Sequence, residues 1–585
     1  MPSITAHFSP LVRTGDGLPL PLGRVLTEIP GAIMGRLSQY IFSRREFLAV
    51  SGIAVTSAVA ASGCVKQSAN LLETAATMKK KDTMPVVVVG AGIGSLTAAA
   101  YLAKAGFPVS VIEQQHIPGG YATSFQRASG RFTFDVSLHM VSAFGSPTET
   151  VLRELALSNT ISMAKLPELC RIISPDFDIV LPQADPVGCM RAFARYFPEE
   201  ENGIRGFIAE IVGTATDVHS MNGRMSLMDK ILFPIRYPSL YRTFNVTLQT
   251  LLDKHIQDAK LKSQLAAFWD YFGLPPSKLS GFYYAVGTGE YIGGGAYCYK
   301  PRSQALSEAL VELIEKNGGK MMFNRAVDRI GLTKGAVSDV RLLGGERVPA
   351  RAVISGASAP TTFEKLLPRD ALSKKFRSKL HGLRPSMSSF IVWLGLNRDI
   401  REQIKNYEIF LLGGYDPETT YHAQLECDAS RADIAVTLFD NAFEGYSRPD
   451  TSTMTIMFVC GYEPWRRFET DYFAGRKEAY NREKARVART IIDRVEKKLL
   501  PELSSTIEVM EAATPLTNLR FTHNPGGAIY GYEQTLDNTS IKRIRNRTPI
   551  KGLYLASAWA FPGGGFSGVH LSGRSAFQNF LEDVG

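Results

Sequence analysis

The chain has 585 residues, a length beyond what one hydrophobic core usually serves, and it predicts two or three domains. Its 45% hydrophobic and 21% charged residues are typical of a globular protein and exclude a disordered one. The net charge of +10 is spread along the chain, which indicates solubility or attraction to anionic lipid and no nucleic-acid partner. The six cysteines and nine histidines show no metal-ligand spacing, so we expect no metal.

Residues 1–64 predict an export signal. Residues 43–48 (SRREFL) match the twin-arginine pattern, and the apolar run 49–61 behind them is too short to span a bilayer. Residues 61–64 (ASGC) resemble a lipoprotein cleavage box, which predicts cleavage before Cys64 and its acylation. An uncleaved membrane anchor or an accidental arginine pair is the alternative.

The polar stretch 65–84 carries three consecutive lysines and predicts a linker between signal and folded protein. We therefore expect the protein outside the cytoplasm, in the periplasm or an equivalent compartment, and anchored to a membrane.

The first folded segment carries a dinucleotide-binding pattern. Four valines, 86–89, predict a buried parallel strand, and a glycine turn leads from it into a helix over 96–104. A second strand over 108–112 ends on Glu113. Strand, glycine turn, helix, strand and acid in this order are typical of an FAD or NAD site, the alternative being an ordinary glycine-rich turn.

Each residue of this pattern has an expected role in binding a dinucleotide. Gly90 makes the tight turn, and Gly92 lets the backbone approach the pyrophosphate, to which the helix N-terminus presents free N–H groups. The third glycine of the fingerprint is replaced by Ser95, which with Gly94 beside it is small enough for close helix–strand packing. Glu113 hydrogen-bonds a ribose hydroxyl and repels a 2′-phosphate.

Further motifs, most of them containing glycine, follow the second strand and recur near the C-terminus. They occupy 117–120 (IPGG), 132–135 (FTFD), 524–534 (NPGGAIYGYEQ), 552–559 (GLYLASAW) and 561–574 (FPGGGFSGVHLSGR). Together with the first pattern, these motifs resemble the family of phytoene desaturases, carotenoid isomerases and retinol saturases. The members of that family are FAD enzymes that share a fold with amine oxidases.

The resemblance implies an α/β fold, with a Rossmann-type FAD-binding domain and a second, α+β substrate-binding domain. We expect a discontinuous FAD-binding domain formed by residues 85–150, 286–360 and 515–585. Residues 151–285 and 361–514 are then the substrate-binding and membrane-facing domain.

The resemblance also implies cofactor contacts. In the family, the glycine pair at Gly119 and Gly120 lets the backbone pass close to the flavin. The next position, commonly arginine, is Tyr121 here. The backbone at Val327 is expected to contact the adenine.

The C-terminal motif supplies the remaining expected contacts. Ser557 and Ala558 stand where many flavoproteins carry an aspartate for the ribityl chain, so no acid contact is expected there. A helix beginning near Gly568 and Val569 is expected to aim its N-terminus at the flavin O2 edge. We expect FAD to be bound non-covalently.

Few polar residues of the substrate half stand out, because chemistry on a polyene requires mainly alignment. His139 matches a histidine of saturase-like members and is a candidate proton donor, the alternative being a structural histidine. Tyr530 either faces the substrate or packs in the core. Residues 232–242 (LFPIRYPSLYR) have the composition of a lipid-facing entrance, or equally of a core helix.

The leading hypothesis is an FAD-dependent oxidoreductase that saturates, desaturates or isomerises C=C bonds of a lipophilic, polyene or isoprenoid-like substrate. An amine-oxidase-like flavoprotein and a non-catalytic prenyl- or lipid-binding carrier of the same fold are the alternatives. The sequence holds no second dinucleotide motif for NAD(P)H, so we expect a quinone or a redox protein as electron partner.

Overall fold

The fold is described from a computed structural model, for residues 71–73, 75, 84–142, 145–221, 227–539 and 542–584. The predicted export signal, including Cys64, and most of the predicted linker lie outside the described residues.

The strands of the described residues are, in chain order, β1 (Val86–Val89), β2 (Val109–Ile112), β3 (Ser124–Arg127), β4 (Phe132–Asp135), β5 (Val141–Ser142), β6 (Ser162–Lys165), β7 (Cys170–Ile173), β8 (Asp178–Leu181), β9 (Ala296–Lys300), β10 (Lys320–Met322), β11 (Val327–Thr333), β12 (Ala336–Leu342), β13 (Arg347–Pro349), β14 (Ala352–Ser355), β15 (Ser388–Leu396), β16 (Glu408–Leu411), β17 (Ile434–Thr437), β18 (Ser452–Cys460), β19 (Ile507–Ala513) and β20 (Leu553–Leu555).

The α-helices are α1 (Ile93–Lys104), α2 (Pro147–Glu154), α3 (Pro186–Ala194), α4 (Glu201–Ser220), α5 (Leu227–Ile231), α6 (Phe233–Arg236), α7 (Pro238–Thr243), α8 (Leu248–His255), α9 (Ala259–Leu265), α10 (Gly281–Gly294), α11 (Ser303–Lys316), α12 (Lys374–His381), α13 (Pro417–Leu425), α14 (Glu463–Arg466), α15 (Glu469–Phe473), α16 (Glu478–Lys498), α17 (Leu503–Thr506), α18 (Pro515–Thr522) and α19 (Phe566–Val584).

The first domain is built around a five-stranded sheet in the order β10-β2-β1-β14-β20. All strand pairs of this sheet are parallel. Its central strand β1 is buried along its whole length, as its four valines predict. Helices α1, α11 and α19 pack together on one face, and the antiparallel β11–β13 sheet contributes to the core on the other. This is the predicted Rossmann-type domain.

The second domain is built around a seven-stranded sheet in the order β19-β15-β18-β17-β16-β7-β8. Alternate residues along its strands separate two faces. Val392 and Ile456 lie on the face that packs with Val487 and Ile491 of α16. Ile391 and Met457, one residue along, lie on the opposite face in the core shared with the five-stranded sheet. The sheet is thus covered on both faces, and the predicted second α+β domain is confirmed.

A helical layer, built mainly from α3, α4 and α7–α10, contributes to the shared core. Helices α4 and α10 approach so closely that a methyl group at Gly289 would collide with the carbonyl oxygen of Ile211. Phe268, in the 3-10 segment Ala267–Tyr271 after α9, packs against Phe410 of β16 with 5.2 Å between ring centroids. Helical layer and seven-stranded sheet therefore meet through aromatic side chains.

Candidate active site

The turn between β1 and α1 has the geometry that the glycine pattern predicts. Gly90 has a φ of +89°, in the left-handed region that favours glycine. Gly92 is the N-cap of α1, and a methyl group placed on it would meet no atom within 4 Å. A methyl group on Gly94 would collide with the carbonyl oxygen of Ala556, just after β20. The turn thus leaves space beside Gly92 and holds α1 close to the last strand.

A second glycine loop lies against the first. Gly119 donates its backbone N–H to the carbonyl oxygen of Ala91 over 2.7 Å, and a β-bridge joins it to Gly92. Gly119 and Gly120 have φ values of +120° and +62°. The two loops together form a cradle of backbone around the N-terminus of α1.

Glu113 follows β2 at its carboxyl end, beside this cradle. Its carboxylate accepts hydrogen bonds from the backbone N–H groups of Ala91 (2.6 Å) and Gln115 (2.8 Å). Burial raises the pKa of this carboxyl, and the N–H donors act against that shift. The carbonyl of Glu113 accepts the N–H of Arg325 (2.9 Å), two residues before Val327 opens β11. The acid and the expected adenine contact therefore lie in neighbouring segments.

The N-terminus of α19 meets the cradle from the other side. Its first helical hydrogen bond runs from the N–H of Val569 to the carbonyl of Gly565, so the earlier N–H groups of the turn, including that of Gly568, have no acceptor within the helix. A methyl group on Gly94 would also approach the carbonyl oxygen of Val569 to 3.2 Å. Two helix N-termini thus converge, an arrangement that favours negative charge.

These residues fit an FAD molecule. The space beside Gly92 suits the pyrophosphate, and Glu113 suits the ribose hydroxyls. Ser557 is buried, and its hydroxyl has no hydrogen-bond partner among the described residues. Such an orphaned polar atom beside the two loops is expected where a ligand supplies the missing partner.

Three of the residues expected to contact the cofactor are also defined by their surroundings within the protein. Ser95 packs against Gly356, where the chain leaves β14, so it serves helix–strand packing. The carbonyl of Ala558 accepts a hydrogen bond from Arg543 (3.0 Å), a buried cation whose pKa burial lowers. Burial raises the pKa of Tyr121, the neutral side chain at the family's arginine position.

His139 lies against three neighbouring strands of the seven-stranded sheet. Its Nδ1 is 2.7 Å from the Thr437 hydroxyl, and its Nε2 is 3.2 Å from the Met457 sulfur. The Thr437 hydroxyl donates its one hydrogen to Glu408 (2.8 Å), so it accepts from His139 and Nδ1 carries a proton. The Glu408 carboxylate is 3.3 Å from the same Nδ1. This network can hold a proton on His139.

Glu408 is the functional candidate that the sequence does not reveal. It opens β16, is fully buried, and accepts a further hydrogen bond from Tyr271 (2.8 Å). Burial and the nearby Glu408 charge raise the pKa of the Tyr271 phenol well above its usual range. The sequence around Glu408 gives no sign of this role, which is visible only because the folded chain places Glu408 beside the partly buried His139.

Tyr530 lies where the glycine-rich loop meets the helical layer. Its hydroxyl donates to the carbonyl of Asp270 (3.2 Å), and its ring would lie 3.2 Å from a methyl group on Gly273. A methyl group on Gly564 would lie equally close to the backbone of Tyr530. The side chain is therefore held by packing and a hydrogen bond, and its contact with substrate stays a prediction.

The segment 232–242 is divided between core and surface. Phe233 and Leu240 are buried and pack with Phe244, as the core-helix alternative predicts for them. Ile235 is 58% exposed and Ile231, just before the segment, is 46% exposed. Short helices with one apolar side each account for this division.

Among the described residues no cluster of His, Cys, Asp or Glu side chains has the geometry of a metal site. In that same part of the chain, no helix has the length and apolar character needed to cross a membrane.

Comparison with known proteins gives the family. The model of the flavin-containing amine oxidoreductase family matches residues 96–579. The chain is 27% identical to all-trans-retinol 13,14-reductase of Danio rerio, over 81% of this chain and 82% of the relative. It is 26% identical to the chloroplastic prolycopene isomerase of Daucus carota, over 85% and 80% of the two chains.

Solved structures agree on the fold. Cyclohexylamine oxidase from Brevibacterium oxydans, at 17% identity, superposes with a TM-score of 0.56 over 86% of this chain and 98% of its own. The predicted resemblance to the phytoene desaturase, isomerase and saturase group is confirmed, and so is FAD as the cofactor. The chain belongs to the flavin-containing amine oxidoreductase family and is an FAD-dependent oxidoreductase.

Proposed function

We propose that the protein saturates, desaturates or isomerises C=C bonds of a lipophilic, polyene or isoprenoid-like substrate. The observation that carries this proposal is the side of the shared core where aromatic and aliphatic side chains surround the partly buried His139 and the fully buried Glu408. The similarity to a retinol reductase and to a prolycopene isomerase supports the same substrate class.

Bound FAD supplies the two-electron exchange with the substrate's double bond. The glycine cradle and Glu113 bind and orient it. His139, whose Nδ1 lies against the Thr437 hydroxyl and Glu408, is the group that would exchange a proton with the substrate carbon. Tyr271 and Thr437 fix the Glu408 carboxylate by hydrogen bonds, and the apolar surroundings exclude water.

Two alternatives receive less support. An amine-oxidase-like activity is supported by the broad family model and by fold similarity at 17% identity, whereas individual polyene enzymes match at 26–27% identity over most of the chain. A non-catalytic lipid carrier has no need for the complete cradle or for the His139–Glu408 pair.

Product analysis tests the proposal. The purified holoprotein is incubated without oxygen, with its flavin either oxidised or chemically reduced, together with all-trans-retinol or a cis-lycopene. A gain of two hydrogens indicates saturation, a loss of two indicates desaturation, and a changed retention time at unchanged mass indicates isomerisation. Unchanged substrates in both flavin states would contradict the proposal.

We further propose a membrane surface as a partner, with Met228, Ile231 and Ile235 as the contacting side chains. They are 52%, 46% and 58% exposed. Lys230 lies among them and suits anionic headgroups, whereas Arg236 is paired with Asp229. The substrate then enters from the bilayer, and a quinone or a redox protein exchanges electrons with the flavin.

We also propose that the protein is exported by the twin-arginine route and is acylated on Cys64. A route that carries folded proteins suits a flavoprotein that binds FAD before export. Replacing Arg44 and Arg45 by lysine should leave the protein in the cytoplasm, and Cys64→Ala should abolish fatty-acid labelling. Unchanged recovery outside the cytoplasm after the double substitution would overturn the route.

A further inference from the structure

Arg543 is a fully buried arginine without a carboxylate partner. It is 1% exposed, and among the described residues no acidic side chain interacts with it. Arg574, the other arginine buried to this extent in that part of the chain, is paired with Glu154 over 3.0 Å. Because a guanidinium keeps its charge in proteins, burying it without an anion is unfavourable. Arg543 therefore indicates an anion that the protein chain does not itself supply.

The hydrogen bonds of Arg543 all go to neutral groups. Its guanidinium donates to the side-chain oxygen of Gln534, to the carbonyl of Asn538 (3.4 Å) and to the carbonyl of Ala558 (3.0 Å). Its Nε has no acceptor among the described residues. These bonds fix the position of the guanidinium and leave its charge uncompensated.

The titratable groups around Arg543 add no negative charge. The phenols of Tyr283 and Tyr532 interact with its charge, and burial raises the pKa of both, so they are neutral. Lys379 of α12 donates to the backbone carbonyl of Arg543 (3.4 Å) and brings a second positive charge. The described surroundings of the guanidinium are thus neutral or positive.

The position of Arg543 selects the flavin ring as the missing anion. Glu113 and the glycine turn before α1 fit the adenosine half of FAD, so the flavin half extends to the other side of the cradle. Residues 557–565 and the N-terminus of α19 form that side. Arg543 binds this segment at Ala558, and a methyl group on Gly563 would lie 3.2 Å from its guanidinium carbon. The charge is therefore buried at the flavin end of the site.

We propose that Arg543 stabilises the negative charge that the flavin ring acquires on reduction. Uptake of two electrons and one proton converts the neutral oxidised ring into a ring with one negative charge. A buried cation near the ring therefore favours the reduced state and raises the reduction potential of the bound flavin. It adds to the positive end of α19. The inference rests on FAD as the cofactor and not on the identity of the substrate.

The test measures the reduction potential of the holoprotein without substrate. Each protein is reduced slowly together with a reference dye, and the ratio of reduced to oxidised flavin is read from the absorbance. At a given dye potential, this ratio should be at least about tenfold lower in Arg543→Gln than in wild type, because a buried unit charge is removed. Tenfold corresponds to about 30 mV for a two-electron couple.

Two further variants separate charge from shape. Arg543→Lys keeps the charge and loses the forked geometry, so its ratio should stay within about threefold of wild type. Arg547→Gln removes a guanidinium that is 42% exposed and paired with Glu582 over 2.9 Å, and it should match wild type.

Sulfite gives an independent readout of the same charge. It adds to oxidised flavin and leaves a negative charge on the ring, so its dissociation constant should rise at least about tenfold in Arg543→Gln. The loss of flavin absorbance measures this constant. An unchanged potential and sulfite constant in Arg543→Gln, or an equal loss in Arg543→Lys, would mean that the guanidinium only holds the loop. Either result would overturn the inference.

A measurement on wild type decides the matter if Arg543→Gln does not retain FAD. Free reduced flavin takes up two protons with its two electrons in mildly acid solution. Beside a buried cation the reduced ring should take up one proton at about pH 5.5, which halves the dependence of the potential on pH. Uptake of two protons would overturn the inference. Since no substrate is used, such a failure leaves the proposed polyene function standing.

Discussion

At the scale of single residues, Gly92 tests the placement of the cofactor. A side chain at this position would project into the open space beside the helix N-terminus, where the pyrophosphate is expected. Gly92→Val should therefore abolish FAD binding, read from the flavin absorbance of the purified protein. Gly414→Val is the control, since a methyl group there also meets no atom within 4 Å. Full FAD occupancy in Gly92→Val would show that the site is misplaced.

The His139–Glu408 pair gives a second prediction at this scale. His139→Gln should lower turnover of the polyene substrate about 100-fold, the usual contribution of a general acid. Glu408→Gln keeps the size of the side chain and removes its charge, and it should lower turnover about tenfold. Because Glu408 acts through His139, the double variant should be no slower than His139→Gln alone. Retained flavin absorbance is the control, and additive losses would contradict the relay.

The cofactor cradle and the His139–Glu408 pair differ in how well the sequence predicts them. The cradle is encoded locally, since Gly90 to Glu113 form one strand–turn–helix–strand unit whose spacing is visible in the chain. Glu408 and Tyr271 meet His139 only through tertiary packing of distant segments, and a glutamate at the start of a strand has no distinguishing pattern. The sequence left residues 232–242 open between core and surface for a related reason, because composition alone does not determine which side of a short helix is buried.

At the scale of elements, α1 and α19 are joined by a buried histidine. His570 is fully buried, and its Nδ1 is 2.9 Å from the Thr97 hydroxyl. Burial lowers the pKa of His570 to about 3. Between that value and the ordinary value near 6.5, the unfolded chain binds more protons than the folded one. The stability contribution is therefore complete above about pH 6.5 and is lost as the pH falls towards 3.

The prediction concerns the free energy of unfolding at pH 7 and pH 5, measured with denaturant. Below pH 6.5, the His570 contribution to the free energy of unfolding of wild type should fall by up to about 1.4 kcal/mol per pH unit. His570→Gln should show a shallower loss. His381→Gln, at a side chain that is 67% exposed, should follow wild type. An identical pH dependence in His570→Gln and wild type would exclude His570 as the cause.

At the scale of the whole molecule, the exposed apolar side chains of α5 and α6 test the membrane proposal. Ile231→Asp combined with Ile235→Asp should weaken binding to anionic liposomes at least tenfold in sedimentation, because it removes apolar contact and adds negative charge. Leu343→Asp is the matched control, since Leu343 is 72% exposed in the β12–β13 hairpin. Equal binding by the control and the double variant would reject this surface.

The central claim is that a flavoprotein of this family acts here on C=C bonds of a lipophilic chain. The most direct measurement is stopped-flow flavin absorbance of the anaerobic holoprotein, oxidised and reduced, mixed with two panels of compounds. One panel holds retinoid and isoprenoid lipids, and the other holds small polar amines and amino acids. We predict a change in flavin absorbance with members of the lipid panel, from redox exchange in saturation or desaturation or from binding beside the flavin in isomerisation, and none with the amines. A change only with the amines would contradict the claim.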